Sequence, residues 1–257
     1  MQVACEQINL EQPGPWGFWA TMGLSAIVGG VYIIIEVVVI ALFTVAAMVR
    51  TRDLDISQFA ESLLTDGLFF SVATCAAAPP TVGLIVLFAR LRKGISVGEY
   101  LCLQKPELKE LCKWCFALLL FAAACDSLTY LMGRPLVPDV MVRVYRTARF
   151  APLLWLAFVI AGPISEELFF RGFLFRGIEN SRFGPAGAII VTSLTWAVLH
   201  TQYDGYGVAI ILLGGLLLGF ARYKSNSTFV PFAMHVLQNA IATAEVAILL
   251  KMGSNAA

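Results

Sequence analysis

Charged residues are scarce in this sequence. Only 14% of its 257 residues are Asp, Glu, Lys or Arg, whereas an ordinary soluble domain has about 25%. With 59% hydrophobic residues and a mean hydropathy of +0.79, the chain has too little polar sequence to cover a water-soluble fold. The formal net charge is +1, so no overall electrostatic field indicates nucleic acid or an acidic partner.

Basic residues are missing from the N-terminal segment, residues 1–15. A cleavable signal peptide begins with positive charge, so we expect the first apolar run to remain as a membrane helix. The six cysteines include a CxxC pair, Cys112 and Cys115, but no second pair or nearby histidine completes a zinc site. We expect these thiols to pack as small apolar groups.

Long apolar runs dominate what is present. A spanning helix needs roughly 20 mainly apolar residues, and lipid offers no partner to an unpaired peptide group, so spanning segments are helical or form a closed barrel. Runs of helical length occur at residues 17–49, 67–89, 111–132, 150–177, 184–200, 208–223 and 229–250. The sequence predicts an all-α, polytopic transmembrane helix bundle with about seven spans. We expect one integral membrane domain over residues 1–257, in the plasma (inner) membrane.

The connections between these runs give a weak orientation. Residues 50–66 read as an amphipathic surface segment, and residues 90–113 hold six Lys or Arg, which favours the cytoplasmic side. Arginines 134, 143, 146 and 149 then fall on the opposite side. Within the fourth run, Gly162-Pro163 is expected to break or kink the helix and restart it at Ile164.

The densest charge inside an apolar run lies at residues 164–172. A charged side chain at the bilayer centre costs roughly 2.5 to 3.5 kcal/mol even on mild scales. Glu167 and Arg171 are four residues apart with the acid first, so they lie on one helix face and can pair. Glu166 points about 100° away and is free to face a polar cavity, where a carboxylate can take a proton from water. A structural ion cluster explains the same residues equally well.

Only two histidines occur in the chain, and both fall in predicted spans. Trp196 precedes His200 by one helical turn, and Asn239 follows His235 by one turn. Glutamate, histidine and a histidine–asparagine pair on three helices supply water activation and oxyanion stabilisation.

These three segments resemble the type II CAAX prenyl endopeptidase and bacteriocin-processing (CPBP) intramembrane proteases. The family pattern is Glu-Glu-x-x-x-Arg, then an aromatic residue four positions before a histidine, then His-x-x-x-Asn, in that order. Here these segments begin at Glu166, Trp196 and His235. The usual aromatic is Phe, so Trp196 is a mild departure. The resemblance covers about residues 150–250, the expected catalytic core.

The resemblance implies a role for each matching residue. Glu166 is the base that activates water, with help from His200, while His235 and Asn239 donate to the oxyanion. Glu167 and Arg171, with Trp196, support the site. The implied activity is cleavage of a membrane-anchored or C-terminal peptide, prenylated or not.

A cofactor and other functions remain open from sequence. The family has also been described as metalloproteases, and Glu166, His200 and His235 are the residues that would hold Zn²⁺. We favour a metal-free mechanism because no His-Glu-x-x-His spacing occurs and Asn is a poor zinc ligand. A transporter or proton pathway would also keep buried Glu, His and Arg, and a non-catalytic scaffold or immunity factor would keep the fold. Glu36 and Glu245, inside apolar runs, either bond across helices or line the cavity.

Overall fold

The computed structural model describes residues 14–51 and 53–254. Helices dominate this part of the chain, and it contains no strand. In chain order they are α1 (Phe18–Arg50), α2 (Ile56–Leu63), α3 (Gly67–Leu91), α4 (Val97–Tyr100), α5 (Leu108–Leu131), α6 (Asp139–Thr147), α7 (Ala151–Glu179), α8 (Gly184–Val198), α9 (Gly205–Ser225) and α10 (Phe229–Ser254). The predicted all-α membrane bundle is confirmed.

Six of these helices are long and apolar enough to cross a membrane, namely α1, α3, α5, α7, α9 and α10. The fifth predicted span, residues 184–200, corresponds to α8, which has only 15 residues. At 1.5 Å per residue such a helix is about 22 Å long, shorter than the roughly 30 Å hydrocarbon core. The count of about seven spans therefore holds only if this short helix is included.

The polar connections lie where the sequence placed them. Residues 50–66 contain the amphipathic helix α2, and the Asp55 side chain caps its first turn by accepting from the backbone of Ser57 and Gln58. Residues 101–104 bond to the turn between α9 and α10, because Thr228 donates to the carbonyls of Cys102 and Leu101. The basic stretch 90–113 and the end of α9 thus share one side of the bundle.

Helices α3 and α7 are the most buried of the spanning helices. In the most apolar stretch of each 39% of residues are buried, against 11% in the corresponding stretch of α1. Helices α8 and α9 pack closely through Gly215 and Gly219. A Cβ on Gly215 would lie 3.1 Å from Ser193, and one on Gly219 would lie 3.3 Å from Ile189. This GxxxG segment lets the two helices approach closely.

The Gly162-Pro163 pair does not break α7, so the break that the sequence allowed is absent. The helix continues from Ala151 to Glu179, but it widens into π-helical turns at Leu156–Ala161 and again at Leu168–Leu174. The α-helical spacing resumes at Gly162, not at Ile164. Because a π turn shifts each hydrogen bond by one residue, the missing N–H of Pro163 falls where the π-helical spacing gives way to α-helical spacing.

Candidate active site

Two adjacent acids on α7 occupy different environments. The Glu167 side chain is fully buried, whereas Glu166 is half-buried. Arg171, one turn later, donates from a terminal guanidinium nitrogen to Glu167 Oε1 at 2.9 Å. The predicted i,i+4 pair is therefore present, with both side chains out of contact with solvent. A buried pair of this kind needs further polar partners to offset its desolvation.

Arg171 and Glu167 both find such partners on other helices. The second terminal nitrogen of Arg171 donates to the carbonyl of Gly215 on α9 at 3.3 Å. Its guanidinium lies 4.8 Å from the ring centroid of Trp196, a favourable cation–π distance. Glu167 Oε1 also lies 2.9 Å from Nδ1 of His235 on α10. Glutamate, arginine and histidine thus join α7 to α10.

Glu166 accepts a hydrogen bond that the sequence did not reveal. The indole Nε1 of Trp196 on α8 donates to its Oε2 at 2.6 Å. The other oxygen, Oε1, lies beside the backbone at Gly162, where an added Cβ would be 3.5 Å away. A phenylalanine at position 196 would have no donor. Trp196, which stands where the family pattern usually has Phe, therefore adds a hydrogen bond to Glu166, the expected base. In the sequence, only the tryptophan at this position indicated such a contact.

His200 lies beside the same tryptophan. Its Nδ1 is 2.7 Å from the carbonyl oxygen of Trp196, and the two ring centroids are 4.9 Å apart. A carbonyl only accepts, so Nδ1 carries the proton in this contact. When the ring is neutral, Nε2 is left with a free lone pair, which suits it to accept a proton from water. The ring centroid of His235 lies 5.4 Å from Trp196 on another side.

The short loop after His200 closes one edge of the site. The Tyr203 ring centroid lies 6.4 Å from that of His200, and burial raises the pKa of Tyr203 to about 12. Asp204 caps α9, and the backbone N–H of Gly207 lowers its pKa, with a further contribution from Arg134. The Arg134 guanidinium donates to Asp204 at 2.7 Å. These contacts fix the loop to the end of α5.

Asn239 faces the first widened stretch of α7. Its Nδ2 donates to the carbonyl oxygen of Phe158 at 2.8 Å. The backbone carbonyl of Asn239 accepts from the Thr243 hydroxyl. One of the two amide hydrogens is therefore engaged with backbone, and the other is the one left for a substrate oxyanion. His235 and Asn239 both reach α7, on the two sides of Glu166.

The two other membrane glutamates differ in their distance from this cluster. Glu36 hydrogen-bonds Tyr32 on α1, and Tyr32 also interacts electrostatically with Glu166. This face of α1 therefore lies next to the site. Glu245 interacts instead with Asp126, and both are exposed. The cavity-lining alternative is thus favoured for Glu36 over Glu245.

The three residues of the alternative zinc set do not form a ligand cluster in the part of the chain that the structure describes. Within residues 14–51 and 53–254, no group of three His, Cys, Asp or Glu side chains is placed to hold a metal ion. Glu166, His200 and His235 each use one polar atom on a different partner. Cys112 is exposed and Cys115 half-buried, and neither forms a disulfide. The donor geometry gives no support to a metalloendopeptidase assignment.

Comparison with known proteins addresses the family directly. Residues 148–241 match the family model described as Type II CAAX prenyl endopeptidase Rce1-like, a range that contains the whole cluster from Glu166 to Asn239. No curated protein and no solved structure gives a match. The resemblance drawn from three short segments is thereby confirmed, and residues 148–241 of this membrane protein are similar to the type II CAAX prenyl endopeptidase family.

Proposed function

We propose that the protein is an intramembrane endopeptidase, in which water activated by Glu166 and His200 hydrolyses a peptide bond. The observation that supports this most strongly is the contact between Trp196 and Glu166. It brings the half-buried carboxylate of α7 to the same turn of α8 that carries His200. The protease-family match covers all of these residues.

The two groups divide the work of water activation. Glu166 keeps Oε1 for a water molecule, because Trp196 occupies Oε2. His200 presents Nε2, because its Nδ1 is turned to a carbonyl. A general base must lie within hydrogen-bond reach of the proton it removes. A water between Glu166 and His200 would lose its proton to the carboxylate and attack the scissile carbonyl, and the proton would then pass to the leaving amine.

Charge develops on the carbonyl oxygen during this attack, and His235 is the main candidate to stabilise it. Its Nδ1 is bonded to Glu167, which leaves Nε2 for the substrate. In the doubly protonated ring both nitrogens donate, Nδ1 to Glu167 and Nε2 to the oxyanion. The free N–H of Asn239 is a second donor. Removal of one oxyanion donor typically costs ~3 to 4 kcal/mol of transition-state stabilisation.

The substrate class follows from the site's depth and its family. Glu166 lies in the middle of a helix long enough to span a membrane, so the scissile bond belongs to a membrane-anchored protein or to a C-terminal peptide brought to the membrane. The family model is named for CAAX prenyl endopeptidases, and a prenylated C-terminal tail is one member of this class. The membrane we propose is the plasma (inner) membrane.

The decisive experiment compares wild type with Glu166→Gln by mass spectrometry of membrane peptides. We expect new peptide termini only with wild type, while both proteins insert and fold alike. Glu245→Gln is the matched control, because this glutamate also lies in a spanning helix but away from the cluster, and its products should equal those of wild type. A flux defect without any cleavage product would instead identify a transporter, and a function unaffected by Glu166→Gln would identify a scaffold. Loss of activity with a chelator and its return with Zn²⁺ would overturn the metal-free mechanism.

A further inference from the structure

One backbone carbonyl of α7 loses its partners at the Gly162-Pro163 pair. In the widened stretch Leu156–Ala161 the hydrogen bonds span five residues, so the N–H of Gly162 donates to Ala157. The next donor in this series would be residue 163, bonding to Phe158, but proline has no N–H. In this series the carbonyl of Phe158 therefore receives no donor from residue 163. In a membrane protein such a group must be satisfied by another side chain.

Asn239 supplies that donor from α10. Its Nδ2 lies 2.8 Å from the Phe158 oxygen, although the two residues are 81 positions apart. One turn earlier on α10, His235 bonds to Glu167. The two contacts fix α7 to α10 before the short segment Gly162–Glu167 and at its last residue, and this segment carries Glu166.

We infer that Asn239 is a positioning residue that replaces the backbone donor missing at Pro163 and so fixes the orientation of Glu166. This inference rests on the proposed function, in which Glu166 is the base. It is separate from the oxyanion role of the second amide N–H, because this N–H donates to the enzyme's own backbone. The hydrogen bond between Asn239 and Phe158 lies close to the base, because the Glu166 carboxylate lies beside Gly162. Gly162 lies between Phe158 and Glu166, where the hydrogen-bond spacing of α7 changes.

Restoring the missing N–H tests the inference. The contact with Phe158 should account for about a tenfold part of the kcat loss in Asn239→Ala, the effect expected for one buried hydrogen bond, with KM little changed. In the Pro163→Ala background residue 163 has an N–H that can donate to Phe158. Asn239→Ala should then lower kcat about tenfold less than it does in wild type, and the loss that remains is that of the oxyanion donor. A purely oxyanion role would give the same loss in both backgrounds, and that result would overturn the inference.

Thermal unfolding of the same four proteins separates this inference from the proposed function. The effect of Asn239→Ala on Tm should also shrink in the Pro163→Ala background, whether or not the chain cleaves peptides. If wild type cleaves no peptide and the effect of Asn239→Ala on Tm still shrinks in the Pro163→Ala background, the proposed function fails. The replacement of the missing donor then stands. Equal Tm losses in both backgrounds would refute it. Recovery of Tm without recovery of kcat would refute the positioning of Glu166.

Two further variants keep the test interpretable. Asn239→Leu keeps the volume of the side chain without a donor, so it should repeat the Asn239→Ala result if that variant folds poorly. Asn180→Ala is the matched control, because Asn180 also donates from Nδ2 to a carbonyl of α7 at 2.8 Å, but at the exposed end of the helix. It should change neither kcat nor its response to Pro163→Ala. A loss equal to that of Asn239→Ala would show that the effect is not specific to the break.

Discussion

Replacing Arg171 with methionine would leave the carboxylate of Glu167 buried without its guanidinium. Both side chains are shielded from solvent, so neither water nor salt can compensate. Breaking a buried pair by removing one member typically costs ~3 to 5 kcal/mol. At about 1.4 kcal/mol per tenfold, the unfolding equilibrium should shift by a factor of roughly one hundred to several thousand. Arg171→Met also removes the bond to Gly215, which places the expected loss toward the upper end of this range.

Reversible unfolding in mixed detergent micelles, followed by circular dichroism, measures this loss. Lys113→Met is the control, because Lys113 forms a comparable pair with Glu110 on α5 but is largely exposed, and exposed pairs contribute little. The double variant Glu167→Gln/Arg171→Met should recover part of the stability, since no uncompensated charge stays buried. A loss below about 1 kcal/mol for Arg171→Met, or a double variant less stable than wild type by the sum of the losses of Glu167→Gln and Arg171→Met, would refute the reasoning.

Three further predictions concern the surroundings of the site. Gly215→Ala should destabilise by about 1–3 kcal/mol through overpacking against α8, whereas Gly214→Ala, whose added Cβ meets only an ordinary contact at 3.7 Å, should be nearly neutral in the same unfolding assay. Because the backbone N–H of Gly207 lowers the pKa of Asp204 below its ordinary value of 3.8, the stability that this carboxylate contributes is present above pH 3.8 and is lost as pH falls through the lowered value. The stability gap between wild type and Asp204→Asn should therefore close on acidification, and a constant gap would contradict this. Burial raises the pKa of Tyr203 to about 12, so the ultraviolet titration difference between wild type and Tyr203→Phe should appear near pH 12, and a difference near pH 10 would show that the ring is open to water.

Local relations in the sequence predicted much of the architecture. The apolar runs gave the helices, and the four-residue spacing gave the Glu167–Arg171 pair, because neighbours on one helix face are fixed by helix geometry. The widened turns around Gly162 were not predicted, since the sequence signalled only a break. The short length of α8 was also missed, because the sequence alone extends that span to His200.

Contacts between helices could not be derived in the same way. Trp196 bonds to a glutamate 30 positions away, and His235 bonds to one 68 positions away. Such pairings depend on how the helices pack, which residue spacing within one helix does not determine. The family pattern gathered the correct residues into one site, yet it gave no indication that His235 would bond to Glu167 or that Asn239 would bond to the backbone of α7.

The most direct measurement follows the acyl group of the scissile bond. A peptide that the protein cleaves is incubated with the purified protein in heavy-oxygen water containing hydroxylamine. If water activated at Glu166 attacks the scissile carbonyl, mass spectrometry should show heavy oxygen in the new carboxyl terminus, no hydroxamate, and neither product with Glu166→Gln. A peptide hydroxamate formed by wild type would reveal a covalent acyl-enzyme, and undiminished cleavage by Glu166→Gln would show that this carboxylate is not the base. Either result would contradict direct attack by water activated at Glu166.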